Sequence, residues 1–116
     1  MYIAYVIVSV ITAAANLSIA VADFLQVRYV LDNMAEVGVP RSWLPVLATL
    51  KAAGAVGLLL GLAGVEVIGV AAAAGLVLFF VGAVATHVAT RVYHNIAVPG
   101  GFLALAAASL ALSSAG

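Results

Sequence analysis

The chain has 116 residues, of which 67% are hydrophobic and 7% charged, with a formal net charge of zero. A water-soluble domain carries about 25% charged residues, so this composition excludes a fully water-facing surface and points to lipid as the main solvent. Four Lys/Arg balanced by four Asp/Glu leave no basic face for nucleic acid, and the absence of cysteine removes disulfides, thiolate metal sites and dithiol redox chemistry.

A membrane-crossing helix needs about 20 predominantly apolar residues. The first such run extends from Tyr2 to about Phe24. No Lys or Arg precedes it and it is too long for a signal-peptide core, so it is expected to be a retained spanning helix. Residues 25–37 are different. Val27, Val30, Leu31 and Met34 recur at helical spacing while Arg28, Asp32, Asn33 and Glu36 lie elsewhere, which predicts a short amphipathic helix at the interface. With no Gly or Pro before it, this segment is also compatible with a continuation of the first helix; Gly38 and Pro40 end it.

The second span is expected over about 43–63, with Ser42 as its cap and Trp43 as an aromatic-belt residue. A short turn at Gly64, Val65 and Glu66 leads to the third span, about 67–90, so that these two helices form an antiparallel hairpin. The fourth, about 97–115, has Asn95 as a candidate cap and Pro99 in its first turn. Its polar residues are Ser109, Ser113 and Ser114, which mark it as scaffold. The expectation is therefore an all-α integral membrane protein of one domain. It is a four-helix antiparallel bundle with a short interfacial amphipathic segment after the first helix. Arg28, Arg41 and Arg91 fall on one side, here called side A, and no Lys or Arg falls on the other. The positive-inside rule makes side A cytoplasmic, which predicts a multi-pass plasma-membrane protein with both termini outside.

Polar residues at membrane depth are costly and mark functional candidates. In the first span Tyr2, Tyr5, Ser9, Thr12, Asn16, Ile19, Asp23 and Gln26 recur at 3–4 spacing, and all but Ile19 are polar or polar-tipped, a stripe that in lipid must face protein or trapped water. Lys51 lies eight residues past Trp43, roughly 12 Å below the side-A boundary at 1.5 Å per residue, a depth similar to that of Asn16. His87 and Arg91, four apart, share a face of the third span, and His94 joins them if that helix runs on. These residues all fall in the side-A half. They predict a polar pocket between the first three spans, of roughly 300 Å³ or more. Asp23, Lys51 and His87 are the candidate acid–base residues, and Thr12, Asn16 and Arg91 the candidate ligand-binding ones. The plainer alternative is that Lys51 snorkels to side A, Asp23 neutralises it, and His87 and Arg91 are ordinary interfacial residues. His87 and His94 stand seven apart with no carboxylate near them in sequence, so no metal site is expected, and nothing calls for a cofactor. Gly57 and Gly61 form a GxxxG pair, read either as close packing within the chain or as a homodimer face.

Residues 38–62, GVPRSWLPVLATLKAAGAVGLLLGL, and residues 76–99, LVLFFVGAVATHVATRVYHNIAVP, resemble the DoxX-like family of small membrane proteins. The resemblance is carried by Gly38-Val39-Pro40, by the Gly-rich run after Lys51, and by Gly82-Ala83 followed by His87. It implies a four-helix membrane bundle, with some relatives in membrane redox complexes. Where many members carry a basic residue near the end of the first helix this chain has Asp23, and where an acidic residue is common in the second it has Lys51, a swapped charge pair. Two functions are compatible with these readings. One is a bundle that binds, and transforms by acid–base chemistry, a lipophilic molecule with an epoxide-, carbonyl- or quinone-like oxygen. The other is a non-catalytic accessory subunit docking a partner of a membrane complex.

Overall fold

A computed structural model describes residues 2–115. It contains five α-helices: α1 (Tyr2–Phe24), α2 (Arg28–Val37), α3 (Leu44–Leu62), α4 (Glu66–Ala89) and α5 (Ala97–Ala115). A single 3₁₀ turn, Arg41–Trp43, leads into α3. Three apolar stretches are long enough to cross a membrane: Tyr2–Phe24, Arg41–Leu62 and Glu66–Ala89. α5 is apolar but shorter over its described part, Ala97–Ser113. α1 packs on α3 and α5, and α4 packs on α3 and α5, so these four helices close a ring. Ala13, Ala55, Leu58, Ala73, Leu76, Phe80 and Ala106 form its core. The outside is hydrocarbon, with Ile3, Val67 and Leu78 each more than 70% exposed, which suits a lipid environment and not water.

The helix ends share one device. Gln26, Gly38, Gly64 and Arg91 all have φ in the left-handed region. Each follows a helix and lies within a Schellman-type pair of bonds: Val27 N–H to Ala22 C=O, Val39 to Met34, Val65 to Leu60, and Val92 to His87. Glycine supplies this conformation at two of the four stops, and Gln26 and Arg91 adopt it against the usual side-chain clash. This resolves the segment after α1: the chain turns at Gln26, and α2 is a separate helix with Val30, Met34 and Val37 buried and Arg28, Asp32 and Glu36 outside. It also ends α4 at Ala89, so His94 does not continue that helix.

Two caps expected from sequence are not made. Ser42 lies within the 3₁₀ turn, and Trp43 occupies the α3 cap position without a side-chain bond. Asn95 meets α5 through its backbone, Val98 N–H to Asn95 C=O, while its amide group is engaged elsewhere. Ser109 is buried and shares a 2.7 Å hydrogen bond with Ser9, tying α5 to α1; the Ser114 side chain lies outside the described residues.

The two ends of the α3–α4 pair are built differently. Away from side A the helices nearly touch: a Cβ on Gly61 would lie 2.6 Å from the Gly69 Cα, and one on Gly57 would lie 2.6 Å from the Ala72 Cβ. A Cβ on Gly54 would meet Leu76 at 2.5 Å. The GxxxG pair is thus filled from within the chain, by α4. Toward side A, Leu50 and Lys51 follow the last glycine of α3, Leu78 and Phe79 face the same space from α4, and a cavity opens there.

Candidate functional site: a cavity in the side-A half

The opening is a cavity of about 450 Å³. α3 and α4 form its walls, α1 and α5 its back, and α2 with the following loop its roof. Most of the lining is apolar, including Ile19, Met34, Leu47, Phe79, Phe80 and Phe102. Six polar side chains with hydrogen bonds of their own belong to the lining: Asp23, Lys51, His87, Asn33, Asn95 and Thr86, the last bonded back to the Gly82 carbonyl of its own helix. This composition, apolar walls with a few convergent polar groups, is the usual make-up of a small-molecule site.

Asp23 and Lys51 form an ion pair, Lys51 Nζ donating to Asp23 Oδ2 at 2.7 Å. Asp23 is 2% and Lys51 13% exposed. The pairing follows from register. Asp23 is at the end of α1 and Lys51 two turns into α3, and these helices run side by side toward and away from side A. Each charge makes the other tolerable, since removing one partner of a buried pair typically costs about 3–5 kcal/mol. The ammonium also lies 5.5 Å from the Phe79 ring centroid, within cation–π range. An ammonium has three N–H donors and Asp23 takes one of them. The pair therefore offers donor capacity without net charge.

His87 is 4% exposed. Its Nδ1 lies 2.8 Å from the Ala83 carbonyl, which only accepts, so Nδ1 carries a proton. Its Nε2 lies 3.2 Å from the side-chain amide of Asn33, which also contacts the amide of Asn95. Two proton arrangements satisfy this triad. A doubly protonated ring donates to the Asn33 oxygen, which then accepts from Asn95 as well and leaves the buried Asn95 Oδ1 without a partner. With a neutral ring, both amides reverse. Asn33 then donates to His87 Nε2 and to the Asn95 oxygen, and the spare group becomes the Asn95 N–H. Between the two arrangements the spare Asn95 group changes from an acceptor to a donor.

The other sequence candidates lie apart from the cavity. Thr12 and Asn16 are fully buried between helices, and both bond back to α1: Thr12 Oγ1 to Val8 C=O and Asn16 Nδ2 to Thr12 C=O. Arg91 is exposed in the left-handed turn after α4 and does not belong to the lining. Asn33 and Asn95 were not candidates from sequence. Asn33 lies within α2 and Asn95 in the turn before α5, 62 residues apart, and α2 folding back over the bundle brings them together at His87. Arg41 bonds Gln26, and Glu36 Oε2 meets His94 Nε2 at 2.6 Å, so the roof is tied down at its edges as well.

Among known proteins, no curated protein and no solved structure matches this chain. The sequence profile of the DoxX-like family matches residues 7–109. That match takes in all of the cavity lining, from Ile19 to Phe102, and it joins a sequence of apolar spans to a family of membrane proteins. The chain is a membrane protein of the DoxX-like family.

Proposed function

We propose that this protein crosses the plasma membrane four times as an antiparallel bundle, both termini outside, and holds a lipophilic small molecule in its side-A cavity. The observation that carries the reading is the pairing of a 450 Å³ apolar cavity with the neutral Lys51–Asp23 ion pair in its wall. A soluble ligand has no reason to enter walls of Leu, Met and Phe, and an isolated charge has no reason to lie at that depth. The Lys51 ammonium has N–H donors beyond the one that Asp23 takes. The matching head is an uncharged oxygen acceptor: an epoxide, carbonyl, ether or hydroxyl.

The pair also has the make-up of a proton donor and acceptor. On a carbonyl or epoxide ligand, Lys51 would deliver a proton to the oxygen and Asp23 would take one from a neighbouring carbon. That exchange is an isomerisation, with no change in oxidation state and no cofactor. Native mass spectrometry from detergent, with a long-chain alcohol and a long-chain ketone as probes, tests the binding reading. Wild type is expected to retain one probe molecule per chain, and the double variant Lys51→Met/Asp23→Leu, which removes both charges together, is expected to lose it. Equal retention by the two proteins would sink the reading.

A further inference from the structure

The cavity has two boundaries, and they differ in kind. Toward side A it is covered in part by α2, although Tyr29 and Trp43 of the lining are themselves exposed there. Val30, Met34 and Val37 of α2 are 7% exposed, Asn33 is bound to His87 and Asn95, and Glu36 is bound to His94. Toward the hydrocarbon it is open. Leu50 on α3 is 50% and Leu78 on α4 is 73% exposed, yet both belong to the cavity lining. Gly82, one turn beyond Leu78, also belongs to it, and a Cβ built there meets nothing within 4 Å. The gap has a defined start. At Gly54 and Leu76 the helices are in contact, and nearer side A both Leu50 and Leu78 belong to the cavity lining.

We propose that the cavity is loaded sideways from the bilayer through this gap between α3 and α4. Its occupant is a neutral, oxygen-headed lipid whose tail remains in the surrounding hydrocarbon. The inference rests on the reading of the cavity as a ligand site and adds route and ligand class. Three features favour it. The lips are apolar side chains within two of the membrane-length helices, so a ligand passing them never leaves hydrocarbon. The ion pair that would meet its head carries no net charge, so neither a carboxylate nor a phosphate gains a counter-ion without breaking it. The roof, by contrast, is fastened by polar bonds that water-side access would have to break.

Trp43 is the single tryptophan, and it belongs to the cavity lining. Its fluorescence in lipid nanodiscs therefore reports loading. Three probes distinguish the ligand sources: octadecanol brominated at mid-chain, brominated stearate, and brominated phosphatidylcholine. The alcohol is expected to give a saturable quench at a mole fraction about tenfold below that for the phospholipid, equivalent to about 1.4 kcal/mol, and unlabelled octadecanol should reverse it. Gly82→Leu places a side chain in the gap and should slow loading severalfold. Leu78→Ala widens the gap and should speed it. Gly75→Leu adds the same bulk to an open position on α4 outside the lining and should match wild type. A saturable alcohol quench whose rate ignores Gly82→Leu and Leu78→Ala would overturn the lateral route while leaving the cavity standing. Preference for stearate or phosphatidylcholine would overturn the neutral head. No saturable quench by any probe would overturn the route and the ligand site together.

Discussion

The two halves of this bundle spend their sequence on different things. Away from side A, Gly57, Gly61 and Gly69 let α3 and α4 approach until backbones touch. Ser9 and Ser109 close α1 on α5 there. In the side-A half the same helices carry Leu50, Lys51, Leu78, Phe79 and His87, and large side chains surround space instead of filling it. The lesson is that the tight half permits the open one. In lipid no hydrophobic effect draws helices together, so close packing is the main source of association. A bundle that leaves a cavity at one end depends on compensating contacts at the other.

This contrast can be broken at either end. The largest effect is expected from Lys51→Met alone, which strands the Asp23 carboxylate at 2% exposure. Refolding in detergent or bicelles should show a loss of about 3–5 kcal/mol. Most of that loss should return in the Lys51→Met/Asp23→Leu protein. A loss that persists in the double variant would mean that the lysine matters by itself and not as a partner.

Next comes Gly61→Ala. Its new methyl would lie 2.6 Å from the Gly69 Cα, which is backbone and cannot rotate aside. Overpacking of this kind typically costs about 1–3 kcal/mol. The matched change Gly75→Ala, into open space, should cost little or stabilise the helix. If both glycines behave alike, the tight half is not the fastening described above.

Asn33→Ala cuts the roof free of His87 and Asn95 and leaves a buried imidazole nitrogen unpaired. A loss of about 1–3 kcal/mol is expected, accompanied by faster hydrogen exchange confined to α2. Exchange spreading through α3 and α4 instead would show that α2 belongs to the main cooperative unit. The smallest effect is at Arg91, whose side chain is exposed and whose φ is +57°. Arg91→Gly should raise stability by roughly 1 kcal/mol by relieving the left-handed strain.

Much of the tight half was legible in the sequence, because small residues at helical spacing in an apolar run have few uses in lipid. The limits of the four long apolar helices fell within a residue or two for the same reason: hydropathy and length are one-dimensional properties. Asp23, Lys51 and His87 were legible as costly groups in the side-A half, but depth matched Lys51 to Asn16, and it is Asp23, nearer the surface, that pairs with it. What the sequence hid were matters of direction. Gln26 and Arg91 stop helices by adopting a conformation their side chains disfavour, and no composition rule marks them. Because the turn at Gln26 was invisible, so was the return of α2 over the bundle, and with it the roles of Asn33 and Asn95. Thr12 and Asn16 show the opposite error of emphasis. Their stripe is real, but a hydroxyl or amide on a helix can bond to the carbonyl four residues back, and these two do.

The account stands on the side-A cavity being a ligand site and not merely a packing gap. Filling it tests that most directly. Ala83 belongs to the lining wall, and Ala83→Phe adds bulk there while leaving the residues of the ion pair and the glycine seam unchanged. Native mass spectrometry of wild type and Ala83→Phe, each purified in mild detergent with octadecanol present, should show one bound alcohol per chain in wild type and little or none in the variant. Equal occupancy in both proteins, or none in either, would contradict the account.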